Sequence, residues 1–491
     1  MRHRAFILGS LLLFAVTPAA PMLLFDDETG IVVPATDYRA KMQAMVAEAQ
    51  PEGENAWPMI REISARFMKI HERAEAKAEE AGIERDEEDL LEPEYWRVAP
   101  LGPIPDRLSE NVARELAVLE QVEAAGVWDD LHRIVGMPRA VREQTGDGPI
   151  IAGDDACIST GLTPTRLMTM ARVATMRRAA EREAWDSVIR VVEEMLALAR
   201  LTSWQSPDNL AASYGSWIAR YTMIELSLIV VERDLDQESL ERLLDVIRDR
   251  RPMLPASMML KGERYRLLDL VQWIYTDDGS LAALPEQLCR AEVSPAELVD
   301  GPRPIIDGQP TRAETVAQLE TMFNLLNEYA ERPPSKWPPL SDRREEWMDK
   351  LHGVQNALLI DVSGTLPARI RNIRVAELMM RGVEIMVALE IHEARSGTYP
   401  GSLDELVPDL LDELPTDPTH DGPFGYRQLA NDKYGRGYLL YSFGWDATDN
   451  NGRLPETPYL GRFDAVMSIK TGAGLDFVIN LPPDHPILKT E

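Results

Sequence analysis

The chain has 491 residues, with 81 acidic against 52 basic side chains and a net charge of −29 at neutral pH. An isoelectric point near 4.7 leaves no basic surface to neutralise phosphates, so the composition argues against nucleic acid and against anionic lipid as partners. Hydrophobic residues make up 45% of the chain, which suits a globular protein rather than a disordered one. The length allows roughly two to four domains with a sizeable core.

Residues 1–25 read as a targeting segment. Arg2, His3 and Arg4 form a positive head, and Ala5 to Val16 is an apolar run. Thr17-Pro18-Ala19-Ala20 has the small residues of a cleavage site, although Pro18 fits such a site poorly. Met22 to Phe25 prolongs the apolar run to a length that spans a bilayer, and Asp26-Asp27-Glu28 ends it. Beside the reading as a buried N-terminal helix, the segment is either a cleaved signal peptide or an uncleaved anchor. Both make the protein exported, into the periplasm or onto the periplasmic side of the inner membrane. Membrane contact is then through this segment only, and only if it is uncleaved. Cys157 and Cys289 either pair in an oxidising compartment or stay as buried thiols; neither lies in a Cys-x-x-Cys pattern.

Helical signals dominate the chain from Thr36 to Arg395. Thr36 to Arg85 is polar and helical, with Met59, Ile63, Phe67 and Ile70 as its apolar stripe. Glu84 to Glu94 reads as an acidic link, and the prolines of Pro100 to Pro105 mark a boundary. Leu108 to Val135 is helical, with a break at Ala125-Gly126, and Thr145 to Gly161 is a loop. Pro164 to Thr202 is a helical pair that turns at Glu181 to Ala184, with Val188, Val191, Met195 and Leu198 as the buried face of its second member. Helices follow at Asn209 to Glu232 with Asp208 as cap, at Gln237 to Arg250, and, after Pro252 and Pro255, at Arg264 to Tyr275. A loop-like stretch from Thr276 to Pro310 precedes helices at Arg312 to Glu331, Ser341 to Leu359 and Ala368 to Arg395. Short breaks between helices suggest antiparallel pairs, in a bundle or irregular solenoid. No strict repeat period is present.

The most distinctive chemistry lies from Gly397 to Gly452. Gly397 stops the preceding helix, Pro400 prevents its return, and Ser402 caps a short second helix to Val407. Pro415 and Pro418 force an extended turn around Asp417. Phe424 to Leu429 and Tyr438 to Phe443 read as strands, with further strands at Phe463 to Ile469 and Asp476 to Leu481. Asp446, Asp449, Asn450 and Asn451 then place oxygen-bearing side chains close together, and Gly452 permits a tight turn. Calcium takes six to eight oxygen ligands, so such a loop could wrap one ion. The competing reading is a turn whose side chains bond their own backbone.

In order, Gly397/Tyr399/Pro400, Leu414/Pro415/Asp417/Pro418, Gly422/Pro423/Tyr426 and Tyr441/Ser442/Gly444/Asp446 resemble the globular domain of type II secretion pseudopilins, the major pseudopilin in particular. The resemblance covers roughly the last quarter of the chain, about the size of a small domain. It implies a helix packed on a small antiparallel sheet, and an acidic loop that can hold calcium; Asp446 aligns with that loop. Arg453-Leu454-Pro455-Glu456 stands where the family has a second acidic cluster. The N-terminal apolar run has no glutamate and no prepilin cleavage pattern. The resemblance therefore does not imply assembly into a pilus.

The chain has no His-Glu-x-x-His, Gly-x-Ser-x-Gly or P-loop motif, and its 7 histidines show no metal-ligand spacing. The expected architecture is mainly α: an irregular helical bundle or solenoid followed by a small α+β pseudopilin-like domain with an antiparallel sheet. The expected divisions are 1–25, a helical region and linker over 26–105, an α-helical domain over 106–365, and the α+β domain over 366–491. The expected role is non-enzymatic: structure or interaction in the cell envelope, with an envelope or secretion-system protein as partner. Two other readings stand beside it, a helical-repeat scaffold that binds a protein or peptide, and an envelope hydrolase whose carboxylates meet only in the fold.

Overall fold

The computed structural model describes residues 36–80, 118–143, 150, 163–249, 253–274, 310–337, 357–430, 432–453 and 476–481. The targeting segment, the acidic link, both cysteines, the stretch 276–309 and the strand expected over 463–469 lie outside them. The molecule is mainly helical, with a small three-stranded antiparallel sheet near the C-terminus. Among the described residues no helix is long and apolar enough to cross a membrane.

The helices run in chain order as α1 (Tyr38–Ala49), α2 (Trp57–Glu80), α3 (Val127–His132), α4 (Thr163–Glu181), α5 (Trp185–Trp204), α6 (Asn209–Glu232), α7 (Gln237–Arg248), α8 (Ala256–Ile274), α9 (Arg312–Glu331) and α10 (Ala357–Ser396). Side-chain caps set several starts. Asp37, Asp208 and Asp236 accept from the backbone N–H three residues on, and Thr311 with Glu314 forms a capping box. The turn between α4 and α5 closes with Ala184 N–H donating to Ala179 O at 2.9 Å. Val188, Val191, Met195 and Leu198 are buried, as their spacing predicts.

Two helices depart from the sequence expectation. α8 starts at Ala256, directly after Pro255, rather than at Arg264. Proline opens a helix well, because the first-turn N–H it lacks has no partner in any helix. α10 is one helix of 40 residues with Pro367 inside it, where a break before Ala368 is expected; residues 341–356 of the helix expected before that break lie outside the described residues. A proline removes one hydrogen bond and crowds the preceding turn, a cost of about 3 kcal/mol. Burial of Leu366 and Ile370 on either side, roughly 1.5–3 kcal/mol each, offsets it.

α10 organises the molecule. Its first half carries Leu366, Ile370 and Ile373 into a core shared with α8 and α9. Its second half carries Val375, Leu378, Met379, Val383, Met386, Val387 and Ile391 into a larger core, shared with α2 to α7 and the sheet. That core is continuous across the division expected at residue 366. The sheet order is β1 (Gly425–Gln428), β2 (Tyr438–Ser442), β3 (Phe477–Val478), with Gly425 opposite Tyr441 and Ser442 opposite Phe477. Alternation along β2 divides its side chains. Tyr438 and Leu440 join the main core, while Leu439 and Tyr441 pack with Val478 and Leu481 on the other face.

Candidate functional site

The loop leaving the central strand is where the chemistry gathers. Every residue of β2 is buried, so its end is a fixed platform. Ser442 Oγ accepts from Gly444 N–H at 3.0 Å, and a short 3-10 turn over Gly444–Asp446 begins there. The chain then reverses through left-handed positions at Ala447 (φ 53°), Asn451 (φ 59°) and Gly452 (φ 74°). Asparagine and glycine tolerate that region best, which is why Asn451-Gly452 can close the loop.

The four residues expected to ligate calcium lie together in this loop, and each has a local partner. Asp446 Oδ1 accepts from Thr448 N–H at 3.0 Å, a short Asx turn. Asp449 Oδ1 accepts from the Tyr441 hydroxyl at 2.9 Å and from Asn451 N–H at 2.8 Å. Asn450 Nδ2 donates to Thr448 O at 3.0 Å, and Asn451 O accepts from Arg427 at 3.3 Å.

A fifth residue, Asp476, was not among the expected ligands. It precedes β3 and is almost completely buried. Its Oδ2 accepts from Asn450 N–H at 3.0 Å and from Gly452 N–H at 2.6 Å. Burial raises its pKa, the nearby Asp449 charge adds to the rise, and the two backbone N–H groups oppose it. The Tyr441 hydroxyl is raised too, by burial and then by Asp449. The available sequence signal for Asp476 was an acid at the head of an apolar strand. Among the described residues no group of three or more His, Cys, Asp and Glu side chains is gathered as a metal site. The loop carries the Asp446, Asp449 and Asp476 carboxylates with asparagine and backbone oxygens, oxygen chemistry of the kind a hard cation takes, and each of the three carboxylates already accepts a hydrogen bond.

Asp417, the acid of the Leu-Pro-x-Asp-Pro stretch, faces its own turn. It is buried; its Oδ1 accepts from Thr419 N–H at 2.9 Å and Thr419 Oγ1 at 2.7 Å. His420 Nε2 lies 3.2 Å from its other oxygen, and the imidazole stacks on Phe443 with ring centres 4.8 Å apart. Ser335 N–H, from the segment after α9, donates to Thr419 O at 2.9 Å. Nearby, Trp337 and Trp445 approach to 5.9 Å, with the Arg371 guanidinium 5.9 Å from each ring. These contacts join the helical region to the loop by aromatic and cation–π packing. No family model, curated protein or solved structure matches this chain.

Proposed function

We propose that this chain is a non-enzymatic, exported structural or interaction protein of the cell envelope. In this reading its C-terminal helix-and-sheet unit works with a type II secretion or pilus-like machine. The supporting observation is the order of elements that the motif residues occupy. A long helix stops at Gly397 (φ 76°), a small antiparallel sheet lies on that helix, and an Asp/Asn loop leaves the central strand. The shared core then makes the helical region a rigid mount for that unit.

Two measurements test the reading. Periplasm-dependent reporter fusions after Asp89 are expected to be active, and reporter activity confined to the cytoplasm would overturn export. Affinity purification from envelope extracts, with the N-terminal segment intact, is expected to recover secretion or pilus-type subunits. Recovery without any such subunit would overturn the association.

The same reading places one calcium ion in the loop, held by Asp446, Asp449, Asn450 and Asn451 with Asp476 beside them. Calorimetric titration of the chain from Asp26 onward with about 1 mM calcium should release or absorb heat and raise the unfolding temperature, since a ligand bound only by the native state stabilises it. Asp449→Ala should remove both effects. No heat, and an unfolding midpoint indifferent to chelator, would leave a turn held only by its own hydrogen bonds.

A further inference from the structure

Near the C-terminal end of α10, one carboxylate faces the sheet with hydroxyl groups as its hydrogen-bond partners. Glu390 Oε2 accepts from the Tyr399 hydroxyl at 3.0 Å, and Oε1 accepts from the Tyr438 hydroxyl at 2.9 Å. The three residues come from three places: the helix, the turn that follows it, and the central strand. Gly397 ends α10 so that Tyr399 can fold back on the helix. The Tyr399 ring then packs 4.8 Å from the Tyr438 ring and over Gly437, where a Cβ would collide with it. Tyr426 of β1 closes the cluster, its ring 6.1 Å from Tyr438 and its hydroxyl donating to Pro400 O at 2.7 Å. Gln428 of β1 adds a bond from Nε2 to Tyr399 O at 2.6 Å.

We infer that Glu390, Tyr399 and Tyr438 form a proton-operated latch between α10 and the C-terminal sheet. The charged groups facing the carboxylate carry its own sign. Glu393 lies one turn on along α10, and Asp234 lies in the link between α6 and α7. Glu405 acts on Tyr426 from the turn after α10. The nearest cation along the helix, Arg395, is paired with Glu241 of α7 at 2.7 Å. Among the described residues no cation acts on this carboxylate to offset its desolvation, and two tyrosine hydroxyls do not replace one. A neutral carboxyl group keeps the seam closed at lower cost.

The sign follows from proton binding. Burial pushes the Glu390 carboxyl up to about 7, against the pull of the two hydroxyls. The closed seam therefore holds a proton that an opened seam releases between the ordinary carboxyl range and neutrality. The latch is fully effective below the ordinary carboxyl pKa and weakens as pH rises through the raised one. Between pH 5 and pH 8 the opening constant should rise roughly 50-fold.

Hydrogen exchange of the full chain, read as protection of the β2 amides from Tyr438 to Leu440 at several pH values, tests the latch. The wild type should lose protection as pH rises, beyond the intrinsic change in exchange rate. Glu390→Gln, which cannot ionise, should flatten that profile. Tyr399→Phe removes a donor that favours the charged form, so it should move the midpoint to higher pH. A wild-type profile as flat as that of Glu390→Gln would overturn the latch. So would an unmoved midpoint in Tyr399→Phe, a variant that keeps the ring in place if the glutamine variant folds poorly.

Discussion

Replacing Glu194 by alanine should cost about 3–5 kcal/mol of folding stability, the range for removing one partner of a buried ion pair. Glu194 sits on α5 with no exposed surface. Its Oε2 accepts from Arg172 Nε of α4 at 2.8 Å, and its Oε1 accepts from Arg190 Nε at 2.9 Å. His132 Nδ1, at the end of α3, is 3.2 Å from the same Oε1. Arg172 is itself nearly buried and lies 5.0 Å from the centre of the Trp128 ring. One carboxylate thus joins three helices, and its loss strands a guanidinium inside the molecule. Urea unfolding of Glu194→Ala, Arg172→Ala and the double variant checks the assignment. Each single change should cost several kcal/mol, and the double should cost much less than their sum, because it leaves no orphaned charge. A loss below about 1 kcal/mol in Glu194→Ala would place the pair among ion pairs that contribute little.

Most helices were legible because their ends carry local signals. Thr311 with Glu314, Asp208, and the periodic valines of α5 each act within one or two turns of chain. The start expected at Arg264 and the break expected before Ala368 both fail, because Pro255 opens one helix and Pro367 is tolerated within another; the packing that decides this comes from distant residues. The Asp/Asn loop was visible in the sequence as four oxygen-bearing residues within six positions. Asp476 was not, since it reaches Gly452 N–H from 24 positions away. Nothing in the sequence sets Glu390 and Glu194 apart in a chain with 81 acids. Only the fold brings Tyr399 and Tyr438 to the first and Arg172 to the second.

Gly262→Ala should cost more than about 3 kcal/mol, although alanine favours a helix interior over glycine by about 1 kcal/mol. Gly262 lies in α8 where the link before α6 crosses it. A Cβ built there falls inside contact distance of the Pro207 carbonyl oxygen, with Pro207 Cβ 2.8 Å away. The obstacle is backbone, so no rotamer change relieves it. Moving the link aside would also disturb Asp208, whose side chain caps α6, and Asn209, whose N–H donates to the buried Glu263 at 2.7 Å. Gly215 of α6 marks a second close crossing, with Ser203 Cβ of α5 2.5 Å and Ala199 O 2.6 Å from a Cβ built there. Gly136 provides the contrast, since nothing lies within 4 Å of an added Cβ and its surroundings are open. Gly136→Ala should be neutral or slightly stabilising, through reduced freedom of the unfolded chain. Thermal or urea unfolding of the three variants should place Gly262→Ala and Gly215→Ala well below the wild type and Gly136→Ala beside it. Equal midpoints for Gly262→Ala and Gly136→Ala would mean that the α8 crossing opens without resistance, and the packing described at Pro207 would then be wrong.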